Sequence, residues 1–162
     1  MEKAQQADNY FAVALRLSPN QARLWNEWSV LHRDLFQDEQ RSEALLEHSL
    51  SLDPQYDWTH ALFGELFSRQ ANNPQQPLST QQTGQLLAKA AAAYETALEK
   101  VDEDATQTIG RYKLSLAGVY RQLERYDDAI RLLSDPVLLE ILDAWRIAEQ
   151  LGRLYQQKGD LL

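Results

Sequence analysis

The strongest constraint on the fold is a repetition within the chain itself. Ala14–Pro19 and Ser49–Pro54 share one pattern, a helical segment that ends at a proline, and the two prolines lie 35 residues apart. Proline disfavours helical backbone in the residue before it, so each segment marks the end of a helix. A period of this length is typical of a chain that stacks similar helical units side by side.

Small and aromatic residues recur in two further patterns. In the first pattern, an aromatic residue stands between two alanines at spacings of four and three residues. In the second, a bulky residue and a small residue are followed three positions later by an aromatic. The first occurs at Ala7, Phe11, Ala14 and at Ala90, Tyr94, Ala97; the second occurs at Phe63, Gly64, Phe67, at Leu116, Ala117, Tyr120, at Leu151, Gly152, Tyr155 and, more loosely, at Trp25, Trp28, Ser29. Such spacings place each set on one helical face, where small residues let two helices approach and the ring fills the gap.

These residues resemble the tetratricopeptide repeat, a helix-turn-helix unit of about 34 residues. The repeat's signature is spread imperfectly over nearly the whole chain, in four partial copies that keep one phase. The resemblance implies an all-α fold, a superhelical solenoid of antiparallel helix pairs, within a single domain over residues 1–162. It also implies a non-catalytic scaffold for protein binding.

The pattern predicts a helix for each half of every unit. The first helix of a pair is called first-type here, and the second helix is called second-type. The expected helices are 4–17, 21–36, 39–52, 55–71, about 80–100, about 105–123, 126–134 and about 137–158.

Three features depart from a regular repeat. Residues 71–80 are rich in Asn, Pro and Gln and are expected to form an inserted surface loop, with Thr80 capping the next helix. This loop is either a tolerated insertion or a contact for the partner. Asp135 and Pro136 cut the seventh helix short. The chain opens on a second-type helix and closes after a first-type helix, so we expect a piece of a longer protein whose uncapped ends favour self-association.

Charge and composition exclude several classes of function. The net charge is -8, whereas a protein that binds duplex nucleic acid needs a basic face, so no nucleic-acid partner is expected. No apolar run approaches the roughly 20 residues of a membrane helix, so no direct membrane insertion is expected. Cysteine is absent, which removes thiolate metal ligands and leaves the compartment undecided.

The residues offer little for catalysis. His32, His48 and His60 lack the close helical spacing of a metal-binding pair, and neither a glycine-rich phosphate loop nor a Gly-x-Ser-x-Gly motif occurs. Acidic clusters at 102–104 and 124–128 fit turns and helix starts, where the helix dipole favours negative charge. We therefore expect no enzyme activity, no metal and no cofactor.

In the family that the chain resembles, first-type helices line a concave groove. Carried over to this chain by the phase of the repeat, the resemblance implies sixteen groove residues, and six of these are arginines. Guanidinium groups bind carboxylates and phosphates in a forked geometry, so the arginines favour a peptide or protein segment with acidic groups as partner. The alternative is that these arginines only solvate the helix faces. The expected contacts are Arg23, Asn26, Arg33, Trp58, Arg111, Arg121, Arg146 and Arg153. The remaining groove positions are Val30, Ala61, Glu65, Ser68, Leu114, Gly118, Glu149 and Gln156. The family's chaperone-tail clamp needs Lys and Asn here; only Asn26 matches it, so a chaperone tail is not expected.

Other interpretations remain open. Trp58 and Trp145 fit the core pattern poorly and are candidates for the groove or the end of the stack. Residues 17–28 also resemble repeat tails that follow the membrane part of bacterial O-antigen polymerase or ligase-like proteins, which would make the chain an extracytoplasmic module. A self-assembly module is the third alternative.

Overall fold

The computed structural model describes residues 2–136, 138 and 144–159, and within these residues the chain is helical with no strand. The helices are α1 (Glu2–Leu17), α2 (Ala22–Leu31, continued by a π-helical turn, His32–Phe36), α3 (Glu39–Leu52), α4 (Asp57–Ala71), α5 (Thr80–Lys100), α6 (Thr106–Gln122), α7 (Tyr126–Leu133) and α8 (Ala144–Lys158). The all-α prediction is confirmed, and these bounds follow the predicted ones closely. The predicted start of the last helix, near residue 137, lies outside the described residues.

Each helix packs on its neighbours in sequence, which is the arrangement of a solenoid. The pairs are α2 with α3, α4 with α5, and α6 with α7, and the α4–α5 contact is the most extensive. A core of leucine, alanine and tyrosine side chains runs from α4 to α8, and smaller clusters join α1, α2 and α3 and then α3 and α4. No helix within the described residues is both long and apolar enough to cross a membrane.

The inserted segment ends in a capping box rather than at the predicted cap. The Ser79 hydroxyl accepts a hydrogen bond from the Gln82 backbone N–H at 3.2 Å, and the Gln82 side chain accepts one from the Ser79 N–H at 3.0 Å. Thr80 is already the first residue of α5. The prediction that Thr80 caps the helix is therefore wrong by one residue, because the glutamine three positions later pairs with Ser79.

The first helix pair, α2 and α3, has one residue more than the other pairs, and the π-helical turn accommodates it. The Gln37 N–H donates to the His32 carbonyl, five residues back, and Gln37 then adopts the left-handed conformation with φ of 54°. Glu124 and Gly159 also have positive φ, and each lies eight residues after the leucine of its motif. Gln37 lies nine residues after Trp28. The wider turn keeps the first unit in register with the others.

Close approach of α4 and α5 depends on Gly64. An added Cβ at this position would lie 2.7 Å from two atoms of the Tyr94 ring. Tyr94 is buried, and the alanines on either side of it in the motif, Ala90 and Ala97, have no exposed surface. The predicted packing of an aromatic ring against a small residue is therefore present between α4 and α5, with no room for a larger side chain at residue 64.

Replacing Gly64 tests that contact. We expect Gly64→Ala to lower the free energy of unfolding by about 1–3 kcal/mol, because the buried Tyr94 ring must shift. Gly84→Ala in α5 is the control: nothing lies within 4 Å of its added Cβ, so it should stabilise the helix by about 0.5–1 kcal/mol. Urea unfolding followed by circular dichroism measures both, and equal effects would contradict the packing account.

Glu124 offers a gain of stability. Its φ of 59° is unfavourable for a side chain with a Cβ, so Glu124→Gly should raise the free energy of unfolding by about 1 kcal/mol. Ala88 is exposed in the middle of α5, and Ala88→Gly should cost about 1 kcal/mol there. Opposite signs for these two changes in the same unfolding assay would verify the left-handed turn.

Candidate partner-binding groove

A cleft of about 680 Å³ lies between α4 and α6, on the face that the repeat phase assigns to the groove. It is lined by Tyr56, Asp57, Trp58, Ala61, Leu62, Glu65, Tyr94, Thr108, Arg111, Tyr112 and Ser115. Four of the predicted groove positions, Trp58, Ala61, Glu65 and Arg111, lie together in it. Its volume is within the range of clefts that bind small molecules or a few residues of a peptide.

Aromatic rings form much of the cleft wall. Tyr56 meets Trp58 edge to face, with ring centroids 6.1 Å apart. The Tyr112 hydroxyl donates to the Asp57 carboxylate at 2.8 Å, and burial together with this carboxylate raises the pKa of Tyr112. Burial also raises the pKa of Tyr94 to about 12. Both phenols stay neutral at physiological pH, so the wall presents apolar rings with fixed polar edges.

Arg111 is the arginine of the cleft, and no carboxylate among the described residues pairs with it. It is exposed, and its only hydrogen bond among the described residues is a long one of 3.5 Å to the Thr108 hydroxyl. The two acids of the cleft are already engaged, because Asp57 accepts from Tyr112 and Glu65 pairs with Arg33 at 2.8 Å. The guanidinium of Arg111 can therefore bind a carboxylate from outside without first breaking an internal ion pair.

Four of the other predicted groove arginines differ in whether they form an ion pair. Arg23 pairs with Glu27 at 3.6 Å, and Arg153 pairs with Glu149 at 2.7 Å, each one helical turn away. Arg121 and Arg146 form no ion pair within the described ranges, and the buried Nε of Arg121 has no acceptor there. Since exposed pairs within one helix contribute little, Arg23 and Arg153 remain available to a partner.

Arg33 differs from the expectation that it contacts a partner. Its side chain is 7% exposed and binds Asp34 through two bonds of 2.9 Å and Glu65 at 2.8 Å, while Arg69 binds Asp34 at 2.7 Å. The network ties the end of α2 to α4. The hydrogen bond from Arg33 lowers the pKa of Asp34. The stabilisation from this carboxylate is thus present at neutral pH and is lost as the pH falls through its lowered pKa.

Asn26 also differs from the expectation, since it has no exposed surface. Its side-chain amide donates to the Thr59 hydroxyl at 3.0 Å, and that hydroxyl lies 3.1 Å from the Ser49 hydroxyl. Ser49 in turn donates to the Ala22 carbonyl at 3.0 Å. Because buried polar groups need partners, Asn26 holds α2, α3 and α4 together and is not available to a groove ligand in this conformation.

The aromatic residues of the motifs are predicted to fill gaps between helices in the core, and all but one of them do. Trp28, Tyr94 and Tyr120 are buried, and Trp25, Phe63 and Phe67 pack partly buried against the core clusters. Tyr155 is 39% exposed, so its assignment to the core is wrong here, because no described helix covers its face of α8. Trp145 is also exposed, on the same helix.

The histidines all have structural contacts. His32 Nε2 lies 3.0 Å from the Asp8 carboxylate, and His60 Nε2 lies 3.0 Å from the Pro54 carbonyl. The His48 ring contacts the Trp25 ring at a tilt of 58°, with the centroids 4.0 Å apart. Across the part of the chain that the structure describes, no group of three His, Asp or Glu side chains is placed to hold a metal ion.

A second cleft, of about 880 Å³, opens beside the inserted loop. Arg33, Arg69 and the start of α3 form one side, and the amide side chains of Asn72, Asn73 and Gln75 belong to the loop that forms the other. The loop is thus a wall of a cleft. Its contact with a partner stays a prediction.

Some cleft residues were missed by sequence reasoning. Thr108, Tyr112 and Ser115 line the cleft, whereas the expected Leu114 packs against the core and Gly118 lies outside the lining. Arg111 is the α6 position that the prediction and the cleft lining share. Thr108, Arg111 and Ser115 share the spacing of one helical face, which is the signal that would have found them.

Solved structures with the same fold support this architecture. The chain aligns with the crystal structure of MamA at a TM-score of 0.70 and 15% identity, covering 96% of this chain and 79% of that one. It aligns with PilF of Pseudomonas aeruginosa at a TM-score of 0.68 and 14% identity, covering 98% of this chain and 63% of that one. No protein-family model and no curated protein matches the sequence. The resemblance to tails of O-antigen enzymes therefore stays a prediction.

The buried hydroxyl of Thr59 can be tested by an isosteric change. Thr59→Val should lower the free energy of unfolding by about 1–3 kcal/mol, because Asn26 and Ser49 each lose a buried partner. Thr96→Val is the matched control: its hydroxyl bonds only within α5, to the Ala92 carbonyl, so its effect should stay below about 0.5 kcal/mol. Similar losses for the two variants in thermal unfolding would argue against the network.

Proposed function

We propose that this chain, which has the tetratricopeptide-type solenoid fold, is a non-catalytic scaffold that holds an extended segment of a partner protein in the cleft between α4 and α6. The observation that carries the proposal is Arg111, a guanidinium without a carboxylate partner among the described residues, at the edge of a cleft walled by aromatic rings.

The chemistry of the cleft selects one kind of segment. A carboxylate side chain pairs with Arg111, and an adjacent aliphatic or aromatic side chain covers the half-buried Trp58 and the small Ala61. The Asp57 and Glu65 carboxylates already have donors, so they do not compete for Arg111. An acidic residue next to an apolar one is therefore the favoured motif, and basic segments are disfavoured.

Further cations extend the site along the groove. Arg121 is ten residues after Arg111 on α6, a separation of roughly 15 Å along the helix axis. An extended segment advances about 3.3 Å per residue, so a second carboxylate about four or five residues away reaches Arg121. Arg146 and Arg153 on α8 would contact longer partners.

The test uses fluorescein-labelled nine-residue peptides that alternate Asp with Leu, titrated against the protein and followed by anisotropy. Arg111→Glu should weaken binding about tenfold or more, because one charged hydrogen-bonded contact is removed and a repulsion is added. Trp58→Ala should weaken binding as well through the lost apolar contact. Affinity should fall as salt is raised.

The control is Arg16→Glu, which makes the same charge change on exposed α1, away from the cleft. It should leave the affinity unchanged within a factor of two, and peptides that alternate Lys with Leu should bind weakly to every variant. If Arg16→Glu and Arg111→Glu weakened binding equally, the effect would come from the net charge of the protein and the proposal would be wrong.

A further inference from the structure

The cleft beside the inserted loop, called the loop cleft from here on, holds about 880 Å³ and is larger than the groove between α4 and α6. Its loop wall is fixed by hydrogen bonds of its own. The Asn72 side-chain amide donates to the Ser68 carbonyl at 2.7 Å, and the Gln75 backbone N–H donates to the Asn73 side chain at 2.9 Å. The loop cleft is therefore a formed surface, with room for several residues of a bound segment.

The charges that line the loop cleft do not cancel. Its two arginines are already neutralised, because Arg33 and Arg69 both bind Asp34 and Arg33 also binds a carboxylate of α4. Glu39 and Glu43, on the α3 wall, are partly buried, and no cation among the described residues pairs with either of them. The α3 wall thus carries an excess of negative charge that a cation from outside can balance.

The spacing of the two glutamates selects a pattern in the ligand. Glu39 and Glu43 are four residues apart on one helix, a separation of roughly 6 Å along its axis. In an extended segment every second side chain points the same way, and such side chains recur about every 6.6 Å. Two basic residues separated by one other residue therefore match the two carboxylates.

Amide side chains supply much of the remaining lining. Five glutamines line the loop cleft, and their side chains form no hydrogen bond among the described residues: Gln37, Gln40, Gln70, Gln75 and Gln76. An amide both donates and accepts, so these side chains suit the N–H and C=O groups of a peptide backbone. A leucine placed against them would leave amides without partners, so small polar residues are favoured between the basic ones.

We propose that the loop cleft is a second binding site, which takes an extended segment of a partner protein in which basic residues alternate with small polar ones. The basic side chains pair with Glu39 and Glu43, and the backbone of the segment bonds to the glutamine amides. This site stands apart from the groove, since Arg111 and Trp58 lie outside its lining. The two sites select segments of opposite charge.

The test uses a fluorescein-labelled nine-residue peptide that alternates Lys with Ser, titrated against the protein and followed by anisotropy. Glu39→Gln and Glu43→Gln should each weaken binding about tenfold, because each removes one charged hydrogen-bonded contact, and the double variant should weaken it further. Both glutamates lack an internal ion pair, so the variants should remain folded, which circular dichroism checks.

Two controls separate this site from the general attraction of cations to a chain of net charge -8. Glu99→Gln makes the same change at an exposed position of α5, 13 residues after Leu86 and so roughly 20 Å along the helix, and should leave the affinity unchanged within about a factor of two. A peptide of the same composition, with its lysines in adjacent pairs separated by two serines, should bind about fivefold more weakly or worse.

Three results would overturn the proposal. The first is no measurable binding of the alternating peptide, and the second is equal affinity for the two peptides. The third is an affinity that responds to Glu39→Gln and Glu43→Gln no more than to Glu99→Gln.

Discussion

The contact between Gly64 and the Tyr94 ring sets the distance between α4 and α5, and the groove is built on that distance. Tyr94 is at once part of the helix-pair contact and part of the cleft wall. Ser115 of α6 lines the same cleft as Tyr94, so the cleft joins this helix pair to α6. A larger side chain at residue 64 would displace the Tyr94 ring. The packing of α4 against α5 and the shape of the cleft wall therefore depend on the same ring.

In the first helix pair, α2 and α3, the close contacts between helices are made by small polar residues. Where other units place glycine or alanine, it has Ser29, Ser42 and Ser49, all buried. Buried hydroxyls need acceptors, so Ser29 bonds to the Asn26 carbonyl and Ser49 to that of Ala22. This network uses Asn26, which the repeat phase would otherwise offer to a partner. The lining of the cleft between α4 and α6 accordingly contains no residue of α2.

Much of the architecture was predictable because it depends on local signals. Prolines, small residues and aromatic spacing determine where helices lie and which faces meet, and these repeat with a fixed period. The contacts that bury Arg33 and Asn26 were not predictable, because their partners Glu65 and Thr59 are more than thirty residues away in sequence. Only the packing of α2 against α4 brings each pair together. Tyr112 and Ser115 were missed for a related reason: they line the cleft together with residues of α4, and Asp57, which binds Tyr112, is 55 residues away in sequence.

The ion pair between Arg33 and Glu65 has a further consequence, because it lies between the two clefts. Arg33 lines the cleft beside the inserted loop, and Glu65 lines the groove. A change that draws Arg33 toward the loop would leave the Glu65 carboxylate unpaired in the groove, where it would repel acidic segments. The electrostatic potentials of the two clefts are therefore linked through one guanidinium, and moving Arg33 would change the charge that both surfaces present.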